Sequence, residues 1–186
     1  MADLSQRPAA GTARWLFYAH NQLSDAAVSE VFEACAGRGD VEAWVALDER
    51  RTDAPARAVI PDRRISVREA LGQRWDVVLA TDNQKGERVP RGVRVRLPHG
   101  ASYGLSGYGI VSLERCDVFV ATSEAHRAFL ERTRHLSGAT TPIVVGGHPR
   151  LDRLWRQRRD RGEVLRGLGL DPGRPTVAVA SHWTPL

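Results

Sequence analysis

The sequence predicts an α/β fold, a doubly wound parallel sheet. Two patterns predict it. Short apolar stretches with strand character alternate with helical ones along most of the chain, the order that parallel strands with crossover helices require. One stretch, residues 76–81 (DVVLAT), is apolar without alternation, as strands covered on both faces are. The expected domain is Rossmann-like and runs from residue 14 to residue 170, after a disordered lead-in over residues 1–13.

Taken in order, residues 14–19 (RWLFYA) read as a buried first strand, with His20-Asn21 turning at its carboxyl end. Ser24-Asp25 suit the cap of a helix to Ala36, with Ala27, Val28, Val31, Phe32 and Cys35 on one face. Gly37 and Gly39 stop it. Residues 41–47 are the second strand, and residues 48–58 a polar loop before a short strand at Val59-Ile60. Ser66 starts a short helix through Leu71, and residues 76–81 follow as the third strand. A polar turn region spans residues 82–92. Residues 93–97 alternate Val93, Val95 and Leu97 with Arg94 and Arg96, the period of a fourth strand.

Residues 101–109 are rich in Gly, Ser and Tyr and read as a mobile loop. Residues 110–115 read as a short helix feeding a fifth strand over residues 117–121. Thr122 or Ser123 caps the next helix, which runs to Leu136 with Phe129, Leu130 and Thr133 or Leu136 inward. Residues 142–145 are the sixth strand. Helical stretches follow to Leu154 and over residues 159–168, ended by Gly169 and Pro172-Gly173. Residues 175–180 (PTVAVA) read as one more buried strand. With no helix after it, residues 171–186 read as the start of a second Rossmann-like domain, truncated. No internal repeat emerges at this level.

Composition narrows the function. The 186 residues are 42% hydrophobic and 26% charged, the balance of a soluble globular protein. No apolar run approaches the roughly 20 residues of a membrane span, and the amino terminus has no apolar signal core. A cytoplasmic location is the expectation. Cys35 and Cys116 match no CxxC or ligand spacing and read as two buried thiols. No HExxH, HxxE or carboxylate cluster appears, so no metal site and no cofactor are expected. No GxSxG marks a hydrolase nucleophile, and the glycines at 104, 107 and 109 do not spell a dinucleotide fingerprint.

The net charge of +5 is local. Seven arginines between Arg150 and Arg166 stand against Asp152, Asp160 and Glu163, a balance of +4. Such a patch suits phosphates or an anionic membrane surface, and a solvated helix face gives the same pattern. A nucleic-acid partner is not expected.

Two stretches carry chemistry. The strand over residues 93–97 stops at Pro98-His99-Gly100, which presents an imidazole at its carboxyl end with no side chain on the next residue. Ligands of open α/β sheets bind there, and imidazole suits proton transfer near neutral pH. A strand-end His bonded to a neighbouring loop has the same sequence. The second stretch is Gly146-Gly147-His148-Pro149-Arg150-Leu151-Asp152. Its glycines allow close backbone approach, Pro149 suits a first helical turn, and a helix start with Arg150 can hold a phosphate. A tight structural turn using Arg150 and Asp152 would look alike.

His99-Gly100 after one strand, SEAHRAFL after the next and GHPRLDRL after a third resemble the amino-terminal half of a GT-B enzyme. The closest resemblance is to the CDP-glycerol glycerophosphotransferases of teichoic acid synthesis, over residues 76–186. Gly147, Pro149, Arg150 and Asp152 match that family's Gly-x-Pro-Arg-x-Asp motif. The resemblance implies His99 as general base. It implies substrate-binding roles for Gly100, Ser123, Gly147, Pro149, Arg150, Asp152 and, in the second domain, His182. It implies transfer of glycerol phosphate or a related polyol phosphate from a nucleotide-activated donor such as CDP-glycerol. The acceptor would be a hydroxyl, for example a lipid-linked one, at the inner face of the cell membrane. Residues 1–186 alone would then be inactive, since the donor pocket falls largely in the second domain. A GT-B glycosyltransferase, a nucleotide-sugar 2-epimerase-like enzyme and a truncated non-catalytic binding domain are the alternatives.

Overall fold

The computed structural model describes residues 11–19, 22–47, 63–81, 89–98, 113, 115–136, 138–156 and 158–179. Within them the chain runs β1 (Ala13–Ala19), α1 (Gln22–Ala36), β2 (Val41–Leu47), β3 (Arg64–Ser66), α2 (Val67–Gly72) and β4 (Arg74–Ala80). It continues through β5 (Arg91–Arg96), β6 (Val118–Ala121), α3 (Glu124–Thr133), a 3-10 turn (Arg134–Leu136), β7 (Ile143–Val145), α4 (Pro149–Arg156) and α5 (Arg161–Gly167).

The strands form one seven-stranded sheet in the order β3-β2-β1-β4-β5-β6-β7, and every neighbouring pair is parallel. The order reverses between β1 and β4, the switch of a doubly wound fold. The expected Rossmann-like sheet is therefore present.

The period of two along the strands sorts the core into layers. On one face Phe17, Ala43, Val45 and Leu79 pack with Val28, Phe32 and Cys35 of α1. Phe17 and Phe32 meet edge to face at 5.3 Å. The stripe read at Val28, Val31, Phe32 and Cys35 is the buried face of that helix. On the other face Leu16, Tyr18, Trp44, Ala46 and Val78 pack with Ile65, Trp75 and Ala70 of α2. Further along, Phe119 and Ala121 of β6 lie with Leu130 of α3, Leu113 and Cys116. Truncating a fully buried Phe such as Phe32 to Ala costs about 3–5 kcal/mol.

The helix starts follow local chemistry. Ser66 and Glu69 form a reciprocal capping box at α2, and Ser123 caps α3 by accepting the His126 N–H. α1 begins at Gln22, so Ser24-Asp25 fall inside the helix and not at its cap, a correction to the expected start.

β3 was not anticipated. Arg64-Ile65-Ser66 has a single apolar residue, and only pairing with β2 makes it a strand. The strand expected at residues 59–60 lies outside the described residues, as do the turn at residues 20–21 and the loop over residues 101–109. Residues 175–179 are a correction. They form no strand, and Val177 and Val179 are 85% and 90% exposed. An apolar run becomes a buried strand only with a neighbour to pair with, and the described residues of its own unit hold no strand.

A repeated pattern holds the amino edge of the sheet. Arg74-Trp75-Asp76-Val77-Val78-Leu79-Ala80-Thr81 recurs as Arg115-Cys116-Asp117-Val118-Phe119-Val120-Ala121-Thr122, a repeat the expectation above lacks. Both aspartates do the same work. Asp76 accepts the Arg14 backbone N–H at 2.7 Å, and Asp117 accepts that of Arg94 at 2.8 Å. Each carboxylate ties its own strand to the neighbour.

Residues 1–153 form one compact unit and residues 154–186 another. In the second, Asp160 caps α5 by accepting the Glu163 N–H. Gly169, at φ +72°, ends it: Gly169 N–H donates to Arg166 and Leu170 N–H to Leu165, both through the carbonyls.

Candidate functional site

Because all seven strands are parallel, their carboxyl ends share one edge. β5, β6 and β7 are neighbours, so Leu97-Pro98, Thr122-Ser123 and Gly146-Gly147-His148 follow adjacent strands. The Leu97 N–H donates to the Ala80 carbonyl and the Gly146 N–H to that of Ala121, which extends the ladders past the strand ends. The strands that precede the three stretches of the resemblance thus lie side by side in one half of the sheet. His99 and Gly100, next in the chain after Pro98, lie outside the described residues, and so does His182.

At the end of β6, Ser123 is engaged with its helix: its hydroxyl oxygen accepts the His126 N–H at 3.1 Å. His126 is the residue that the sequence did not single out. It is 6% exposed and stands edge-on to Phe119. Its Nδ1 accepts the Thr122 backbone N–H at 3.2 Å and lies 3.1 Å from the Thr122 hydroxyl. An Nδ1 that accepts an N–H carries no proton, so the ring's proton is on Nε2. Burial pushes its pKa down, favouring the neutral imidazole. A hydroxyl residue four positions before the His, at a helix start, is the signal that could have found it.

At the end of β7, a Cβ on Gly146 would stand 2.5 Å from Val120 Cγ1, so any larger residue would have to displace that side chain or the turn. Gly147 has φ +80°, a conformation open to glycine at no cost. The His148 carbonyl accepts the N–H groups of Leu151 and Asp152, and Pro149 is the first helical residue of α4. Arg150 follows in the helix and Asp152 is exposed on its first turn. His148 is 7% exposed, and its Nδ1 has no hydrogen-bond partner. This arrangement offers an anion the positive end of a helix beside an unobstructed backbone.

Thr81 follows β4 at the strand-order switch, 1% exposed, with its hydroxyl unpartnered. It occupies the repeat position of Thr122, which is how the sequence could have flagged it. At the opposite, amino edge lies a cavity of ≈ 840 Å³ lined by Arg74, Asp76, Arg91, Gly92 and Asp117. Its aspartates are already committed to Arg14 and Arg94, and Arg94 also bonds Asp117 through its guanidinium. That commitment, and the wrong edge for a parallel sheet, make it a structural feature.

Among the described residues no three His, Cys, Asp or Glu gather to hold a metal, and no helix is long and apolar enough to cross a membrane. Compared with protein-family models, curated proteins and solved structures, the chain matches none.

Proposed function

We propose that the chain is the acceptor-side domain of a transferase that moves glycerol phosphate, or a related polyol phosphate, from a nucleotide-activated donor to a hydroxyl acceptor in cell-envelope polymer synthesis. The observation that carries this reading is the adjacency of β5, β6 and β7, whose carboxyl ends lead into His99-Gly100, Thr122-Ser123 and Gly147-His148-Pro149. These strands run into the segments of the glycerophosphotransferase resemblance, and ligands of parallel α/β sheets bind beyond the carboxyl ends of the strands.

In this mechanism His99 accepts the proton of the acceptor hydroxyl. The oxygen attacks the donor phosphorus in line, a phosphodiester forms, and the bond to the nucleotide monophosphate breaks. The turn from Gly147 into α4 stabilises charge on the phosphoryl oxygens. Such chemistry depends mainly on positioning and charge stabilisation. The arginines at 156, 158 and 159 are exposed and suit an enzyme working on a lipid-linked acceptor at the inner membrane face.

The test is CMP release from CDP-glycerol with a glycerol phosphate-primed acceptor, using protein expressed from its whole reading frame. The reading expects acceptor-dependent CMP and a new phosphodiester signal by ³¹P NMR. Consumption of nucleotide sugars with CDP-glycerol left intact would overturn it in favour of a glycosyltransferase.

A further inference from the structure

His148 is the residue of the Gly147-Pro149 turn to which the reading above gives no role. We propose that its imidazole, with the first turn of α4, forms the binding pocket for a phosphate group. The biological source of that phosphate rests on the proposed transferase. The pocket itself does not.

Three observations converge. The His148 ring is nine-tenths buried, yet Nδ1 meets no donor or acceptor. A nitrogen stripped of water and left unpaired is unfavourable, and buried polar groups are as a rule satisfied. A phosphate oxygen or hydroxyl can supply the missing partner. The residue also stands at the start of an eight-residue helix, whose positive end favours an anion. At this position α2, α3 and α5 have Ser66, Ser123 and Asp160, whose oxygens accept a first-turn N–H. His148 contributes its carbonyl to Leu151 and Asp152, while Nδ1 stays unused. Finally, the backbone of the turn is open at Gly147, where an added Cβ would meet nothing within 4 Å among the described residues and φ is +80°.

Asp152, exposed in the same turn, carries the opposing charge. The site therefore binds phosphate against one carboxylate, and removing that carboxylate strengthens it.

The experiment is titration of the purified protein with inorganic phosphate and, separately, glycerol 3-phosphate. It is followed through the His ring nitrogens by long-range ¹H–¹⁵N NMR. The expected result is a saturable shift of the His148 ring, a Kd at least about tenfold weaker in His148→Ala, and a tighter one in Asp152→Asn. The wild-type ring signal serves as the readout even if His148→Ala folds poorly, and His148→Asn repeats the test with a polar side chain. A His148 ring that stays unmoved at saturating phosphate, or His148→Ala binding as tightly as wild type, overturns the pocket. The two proposals fail separately. Phosphate binding at His148 without turnover of CDP-glycerol removes the transferase and keeps the pocket. Turnover with unchanged KM and kcat in His148→Ala removes the pocket and keeps the transferase.

Discussion

Replacing His126 by Phe separates its hydrogen bonds from its packing. Phe keeps a ring of similar size, so the edge-on contact with Phe119 survives. What goes is the Nδ1 acceptor, 3.2 Å from the Thr122 N–H and 3.1 Å from its hydroxyl. Leaving this part-buried donor unpaired costs about 1–3 kcal/mol. For a chain of this size that lowers Tm by roughly 2–4 °C per kcal/mol. Urea unfolding followed by tryptophan fluorescence should show a lower midpoint with an unchanged m-value. The pH dependence gives a second reading. Burial holds the folded His126 pKa below its ordinary 6.5, so between the two values the unfolded chain binds more protons. This contribution to stability is complete above pH 6.5 and is lost as pH falls through the folded pKa. His126→Phe should lack that part of the acid slope. A variant as stable as wild type, with the same slope, would refute the assigned role in holding the β6–α3 turn.

Three further outcomes follow from the packing. Gly92→Ala puts a Cβ 2.7 Å from the Trp75 carbonyl oxygen, a backbone atom that cannot swing aside. It should cost about 1–3 kcal/mol in thermal or urea unfolding. Gly146→Ala meets the tip of Val120 instead, so it should cost less while shifting the amide signals of the turn before α4. Burial pushes the Cys116 thiol up to about 11, so iodoacetamide at pH 8 should label Cys116 only as fast as the protein opens.

The parts of the fold written in contiguous apolar patterns were legible. The run from Val77 to Ala80, the stripe through Val28, Phe32 and Cys35, and the caps at Ser66 and Ser123 each follow from a few neighbouring residues. Elements created by pairing were not. β3 has one apolar residue and exists through its bonds to β2. Residues 175–179 show the converse, an apolar run in a unit whose described residues hold no strand. Gly92 matters because β4 and β5 are out of register between Arg74 and Val77, a relation between strands that neither one encodes. At the candidate site, the glycines and Pro149 were readable because their backbone demands are local. The buried nitrogen of His148 and the Thr122–His126 pair depend on how two turns settle beside a sheet edge.

The transferase account rests most heavily on His99, and its most direct test is His99→Ala in the protein expressed from its whole reading frame. A general base is worth roughly 10²- to 10⁴-fold. The account predicts kcat for glycerol phosphate transfer lowered by that factor, with Tm unchanged, because the residue follows the strand end and not its core. Near wild-type turnover with a lowered Tm would contradict it and leave His99 a structural residue.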